Sequence, residues 1–168
     1  MIRSPDQDVP AVGGLELRAD CSRCLGLCCV AQVFAASADF AFDKPAGVAC
    51  RHLGPDSRCG IHDRLRQEGM RGCVSYDCFG AGQHVVQDTM PRVDWRESPG
   101  TAERMFEVFK VMRQLHELAW YLTEALALAT ARPVHTELRA ALDGVEVLAD
   151  EPADALLGDL VRADVAIV

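Results

Sequence analysis

From Thr101 onward the apolar residues recur at helical spacing. Met105, Val108, Phe109, Met112, Leu115, Leu118, Ala119, Leu122, Ala125 and Leu126 fall three or four positions apart. That pattern predicts one apolar stripe on a helix of about thirty residues. Thr101 is placed to cap its start, with Glu103 in the first turn, and Pro133 sets its end. A second helix is predicted over Val134 to Leu148, carried by Leu138, Ala141, Leu142 and Val145 and weakened at Gly144. Asp150 and Pro152 open a third, continued by "ADALLGDLVRA". These elements read as a helical hairpin or small bundle. His116, His135, Met105 and Met112 lie on its faces as core or surface residues. The last stretch, "ALLGDLVRADVAIV", has a faint five-residue texture through Leu157, Val161 and Val165. Two ragged units are too few for a stacked repeat.

The first hundred residues have a different texture. Residues 1–18, rich in Pro, Asp and Gly, read as a loosely ordered lead-in. Residues 19–80 hold every cysteine, at positions 21, 24, 28, 29, 50, 59, 73 and 78. Residues 81–100 read as a connector broken by Pro91 and Pro99, with Trp95 as a packing anchor between charged runs. Four cysteines fall within "CSRCLGLCC". If that stretch is helical, Cys21, Cys24 and Cys28 share an arc of about 60°, with Cys29 about 80° from Cys21. One element then presents three or four thiols to one site. Cys50 and Cys59 bracket a loop with the turn signal Gly54-Pro55-Asp56. Cys73 and Cys78 bracket "VSYD", a short strand or a tight bend.

A chain of 168 residues is long enough for one domain with a real core, or a small domain with a helical appendage. A net charge of −8 argues against a nucleic-acid partner. The densest basic group, Arg64 and Arg66 near Arg71, lies among cysteines and acids. The opening "MIRSPDQDVPAVGG" lacks the apolar run of a secretory signal. The best apolar segment, "LHELAWYLTEALALA", carries His116, Glu117 and Glu124 and reads as a buried helix face, with no membrane span. The expected home is the cytoplasm, where structural disulfides are rare. Eight cysteines there point to metal ligands or redox thiols. Crowded thiolates repel one another, and each stays protonated until a cation offsets the charge. A bound metal removes that conflict.

Taken together, "CSRCLGLCC", then "CRHL", "RCGIHDRLR" and "GCVSYDC", resemble the YkgJ-like cysteine-cluster proteins, a family described as a zinc- or iron-chelating domain. The likeness covers residues 21–78. It implies metal binding by Cys21, Cys24, Cys28, Cys29, Cys50, Cys59, Cys73 and Cys78. The family has Tyr where this chain has His62, so the resemblance does not assign His62 as a ligand. "SADFAFDKPAG" and "YDCFGAGQHV" resemble a narrower group, some of whose members join this module and its helices to pentapeptide repeats.

Soft thiolates suit zinc, iron–sulfur clusters and cuprous copper, and the resemblance narrows the metal to zinc or iron. A cubane iron–sulfur cluster takes four thiolates at irregular spacing. Two closed zinc sites would use all eight. Cys21/Cys24 is the one pair with a zinc-knuckle gap, which favours an iron–sulfur cluster (or iron) with a redox or accessory enzymatic role. The alternative is a structural zinc-binding interaction module without catalysis. A thiol redox enzyme using Cys21 and Cys24 lacks the βαβ context it needs, and a metal buffer has no use for the long helix. No catalytic residue is assigned. Asp63, Tyr76, Asp77, Gln83 and His84 lie near ligands in sequence, and each also reads as a cap, turn or packing residue. His52 and His62 are further ligand candidates. The partner is an unknown protein or a small-molecule substrate, and the stripe over 105–126 offers a homodimer surface. The expected fold is mainly α, a small metal-stapled cysteine-rich module packed on a C-terminal helical hairpin or bundle.

Overall fold

The long helix starts earlier than its apolar stripe does. Ser98 has extended backbone, and its Oγ accepts the Thr101 N–H at 3.1 Å. Pro99 takes the first helical position, where a missing N–H costs nothing. In this computed structural model, which describes residues 14–158, α4 runs Pro99–Ala127. Three short helices precede it: α1 (Leu27–Ala31), α2 (Arg71–Ser75) and α3 (Ala81–His84). A 3-10 turn, Ala129–Val134, carries Pro133 and turns the chain into α5, His135–Ala149. A further helical stretch follows Pro152 over 153–158. The rest of the third helix expected from the sequence lies outside the described residues, as do most of the lead-in and the later part of the five-residue texture.

The chain is mainly helical. Among the described residues there is no strand, and two isolated antiparallel bridges, Phe34 with Lys44 and Leu53 with Cys59, pin loops. No helix among them is long and apolar enough to cross a membrane.

The main core is built on α4. Met105, Phe106, Val108, Phe109, Met112 and Ala119 are buried against Leu27 and Val30 of α1, Ala81 of α3, and Leu142, Val145 and Ala149 of α5. Full burial of such side chains stabilises by about 1.5–3 kcal/mol each. The stripe expected to offer a dimer surface is thus largely used inside the chain. Leu118, assigned to that stripe, is 46% exposed beside exposed Tyr121. A smaller core of Phe34, Cys50, Ile61, Leu65 and Met70 sits under the cysteine-bearing loops.

Two local expectations fail. Cys21–Cys29 is not one helix. Cys21–Arg23 is a 3-10 turn, and Gly26, at φ 70°, reverses the chain before α1 begins. A side chain at Gly26 would stand 2.7 Å from Leu53 Cδ1 and 3.0 Å from the Ser57 carbonyl. The segment 81–100 is not an irregular connector throughout. It opens with α3 and a wider π-helical turn, Val85–Thr89, and Val85 is fully buried. Pro91 lies beyond that helical stretch, so its break comes later than expected.

Candidate metal centre

The cysteines are gathered by loops that lock onto α1, α2 and α3. Asp20 Oδ1 accepts the Ser22 N–H at 2.8 Å and so starts the turn that presents Cys21. Arg23 pairs with Asp20 at 3.3 Å and with Glu16. The buried Gln83 amide accepts the Asp20 N–H at 2.7 Å and donates to the Arg18 carbonyl at 2.8 Å. This clamp lays the segment before Cys21 across the start of α3. The approach is close: a Cβ at Gly80 would stand 1.9 Å from the Glu16 carbonyl oxygen, and one at Gly82 would stand 2.7 Å from Cys24 Sγ. Trp95 adds a tie from the other side, donating Nε1–H to the Leu25 carbonyl at 3.0 Å.

Beyond Gly26, α1 carries Cys28 and Cys29. Cys50 docks beside them through its N–H to the Cys29 carbonyl, at 2.9 Å. A turn with Ser57 at φ 64° closes Gly54 N–H onto the Arg58 carbonyl, at 2.7 Å, and returns the chain to Cys59. Cys73 rides on α2, which the Gly72 N–H ties to the Asp39 carbonyl at 2.9 Å.

These elements enclose a cavity of about 420 Å³. Cys21, Cys24, Cys28, Cys29, Cys59, Cys73 and Cys78 all line it. Cys50 is buried next to it, and all eight cysteines are free. Phe34, Phe40, Tyr76 and Phe109 supply its apolar wall. Burial therefore pushes up the thiols of Cys21, Cys59 and Cys78, and those of Cys24 and Cys73 to about 11. Cys28 is pushed well up, first by its hydrogen bond with Cys29 and then by burial. Negative charge at Cys28 further disfavours ionisation at Cys21, Cys24, Cys59, Cys73 and Cys78. Without a cation these groups stay thiols at neutral pH.

The backbone works in the opposite sense. The N–H groups of Gly26 and Leu27 favour the Cys24 thiolate, that of Ile61 the Cys59 thiolate, and those of Gly80 and Gly82 the Cys78 thiolate. Amides two to four residues beyond a cysteine and aimed at its sulfur stabilise negative charge there.

The eight also divide. Cys24, Cys28 and Cys78 pack against the α4 core, and Cys29, Cys59 and Cys73 pack against the core that contains Cys50. Electrostatics follow the same line in part, with Cys28 hydrogen-bonded to Cys29 across it. Cys21 and Cys24 respond to Cys28 and Cys78, whereas Cys73 responds to Cys28, Cys50 and Cys59. Cys28 lies between the sets.

The chemistry of this donor set fits a soft metal: eight thiols, backbone amides that favour several thiolates, and a glycine that lets α3 approach Cys24 closely. Among the described residues, however, no three His, Cys, Asp or Glu side chains stand close enough to hold one ion between them. The sulfurs ring the cavity, and ligation requires them to turn inward.

Other candidates separate cleanly. His62 lies at the cavity edge, exposed. His52 packs its ring on Phe42, centroids 5.7 Å apart. His84 Nδ1 meets fully buried His116 Nε2 at 2.8 Å, and His116 Nδ1 lies 2.6 Å from the Phe79 carbonyl. A carbonyl only accepts, so a neutral His116 carries its proton on Nδ1 and takes a hydrogen bond from His84 Nδ1–H. Asp63 pairs with Arg64, and Asp77 accepts the Phe79 N–H at 2.7 Å. Tyr76, Asp77 and Gln83 also line the cavity, and the Tyr76 phenol, pushed up by burial, lies 3.4 Å from Gln32 Nε2.

Sequence reasoning missed Lys44. It is buried, and burial pulls its ammonium down while negative charge at Cys50, Cys29, Cys28 and Cys73 pushes it back up. The available signal was its rarity, since the chain has two lysines against fifteen arginines.

No family model and no solved structure matches the chain. It is similar to an uncharacterized protein, YybG, of Bacillus subtilis, with 53% identity over 142 residues. That match covers 84% of this chain and 51% of YybG, so the chain spans about half the length of the curated relative it matches.

Proposed function

We propose that the chain is a cytoplasmic cysteine-cluster metal protein, akin to the YkgJ-like group, whose thiolates hold iron–sulfur centres in a redox or accessory enzymatic role. The observation that carries this reading is the convergence of seven cysteines on one cavity of about 420 Å³, with the eighth buried beside it. A single zinc ion draws four sulfurs to within about 3.8 Å of one another, given bonds of about 2.3 Å in a tetrahedron. A cubane cluster brings its own irons and sulfides and holds its thiolates farther apart. A roomy, apolar, thiol-lined cavity suits the larger group. When bound, such a centre supplies one-electron chemistry.

The residues of the chain do the rest. Cys21, Cys24, Cys28 and Cys78 form one donor set, and Cys29, Cys50, Cys59 and Cys73 the other. The amides of Gly26, Leu27, Ile61, Gly80 and Gly82 offset charge on the sulfurs they face. Phe34, Phe40 and Phe109 limit water access. Tyr76 and Gln32, 3.4 Å apart, are among the polar side chains that line the cavity and could orient a small substrate.

The division into two sets of four favours a second reading, in which each set closes on a structural zinc ion without catalysis. Alkylation followed by mass spectrometry tests the shared premise. As-purified anaerobic protein is expected to protect its cysteines until metal is removed. Full-rate alkylation of all eight in that protein refutes both readings. Reversible bleaching by a one-electron reductant supports iron–sulfur, and colourless protected protein supports zinc.

A further inference from the structure

Lys44 carries a full charge into the smaller core, yet every partner it touches is neutral. It is 3% exposed. Its Nζ donates to the carbonyls of Val30 and Pro45 at 3.1 Å, of Val48 at 2.9 Å, and of Gln32. The same ammonium lies 4.7 Å from the centre of the Phe34 ring. Four carbonyls saturate its three N–H groups without cancelling its charge. Among the described residues no carboxylate pairs with it. Lysine is almost never buried this deeply unless paired, and an isolated buried charge is costly.

The carbonyls that hold it belong to the cysteine-bearing segments. Val30 follows Cys29 directly, and Val48 stands two residues before Cys50. The titratable groups within its electrical reach are the cysteines Cys50, Cys29, Cys28 and Cys73. A protonated thiol offers no countercharge, whereas a metal-bound thiolate does. Four thiolates around a divalent ion, or around a doubly positive cluster core, leave two negative charges over. A fixed cation beside such a centre favours its formation and disfavours its neutral, protonated alternative.

We propose that Lys44 is the built-in counter-cation of the metal–thiolate centre formed by Cys29, Cys50, Cys59 and Cys73. It rests on the reading of the cysteines as ligands. Lys44 is a positioning residue: it acts through the ligands' charge and touches no metal. Of the first set, Cys21, Cys24, Cys28 and Cys78, Cys28 alone falls within the reach of Lys44, so the two sets differ in how tightly they hold an anionic centre.

Zn²⁺ alone serves as the probe, added to the reduced, metal-free full chain in competition with a chromophoric chelator. A Cys24→Ser, Cys78→Ser background leaves the second set intact. There Lys44→Met is expected to weaken Zn²⁺ binding about 10–100-fold, and Lys44→Arg to restore most of the loss. Equal loss in both variants, or none in Lys44→Met, overturns the assignment. A readout on the wild-type chain covers the case in which Lys44→Met does not fold. With ¹⁵N-labelled lysine the chain gives two ammonium signals, and Lys110→Arg assigns them. Lys110 is exposed and paired with Glu107 at 2.6 Å. The Lys44 signal is expected to shift on Zn²⁺ binding while that of Lys110 stays put. An unmoved Lys44 signal in a chain that does bind Zn²⁺ overturns this assignment alone. A wild-type chain that takes up no Zn²⁺ overturns the cysteine reading and this assignment with it.

Discussion

Replacing Gly82 with alanine puts a methyl group where the Cys24 sulfur lies. An ideal Cβ at that position stands 2.7 Å from Cys24 Sγ, 3.6 Å from Cys24 Cβ and 3.9 Å from Phe109 Cε2. Comfortable contact needs about 3.5–4.0 Å, so the sulfur must retreat by roughly 1 Å. In the metal-free chain no metal bond holds it, and rotation about the Cys24 Cα–Cβ bond can move the sulfur aside. There the substitution is close to neutral, or gains up to about 1 kcal/mol in helix propensity. In the loaded chain a metal–sulfur bond of about 2.3 Å pins the same sulfur. The misfit then costs what overpacking usually costs, about 1–3 kcal/mol. Only the loaded state bears it, so Gly82→Ala is expected to weaken metal binding by roughly 5- to 150-fold. The assay pairs chelator competition with thermal unfolding of the metal-free form. Wild-type affinity in Gly82→Ala refutes the reasoning, as does a metal-free form destabilised as much as the loaded one.

Gly80→Ala tests the clamp beneath the site and needs no metal. With φ at 82° and the new Cβ 1.9 Å from the Glu16 carbonyl oxygen, it combines left-handed strain with a backbone clash. A loss of about 3 kcal/mol, or about 6–12 °C in Tm, is expected, and an unchanged Tm argues against the approach of residues 15–20 to α3. Acid is expected to weaken the metal-free chain through His116, which burial pushes down from 6.5 to about 4. Between those values the unfolded chain binds a proton that the folded chain does not. Stability is therefore full above about pH 6.5 and falls as the pH drops toward 4, by up to about 3 kcal/mol. Urea midpoints at several pH values check this, and the same slope in His116→Asn refutes it. Metal removal is expected to raise amide exchange mainly over residues 33–73, which rest on the smaller core, and less in α1, α4 and α5, which share the larger one. Uniform change across the chain argues against that division.

The helical half was legible because its periodicity is long and its punctuation conventional. Met105 to Ala119 marks the buried face of α4, but Pro133 does not set its end: α4 stops at Ala127, and Pro133 sits in the 3-10 turn before α5. The cap lies three residues earlier than expected because the Ser98 hydroxyl caps the helix in place of Thr101. The opening cysteines show the opposite limit. Their spacing fits a helix, but Gly26 adopts a left-handed conformation against Leu53 and Ser57, a contact more than twenty residues away in sequence. Short-range pattern cannot show such contacts. The same holds for 81–89, where tertiary burial of Ala81 and Val85 outweighs Gly82 in the same short stretch. The crowding of Cys21, Cys24, Cys28 and Cys29 was evident from spacing. The approach of Cys21 and Cys24 to Cys78 depends on Gly80, Gly82 and Gln83, whose roles appear only when residues 16–24 lie across α3.

Elemental and sulfide analysis of protein purified without oxygen tests the central claim most directly. The expected result is iron with acid-labile sulfide, broad visible absorption, and thiols that become titratable only after the metal is stripped. Protein with no bound metal and eight freely titrating thiols contradicts it.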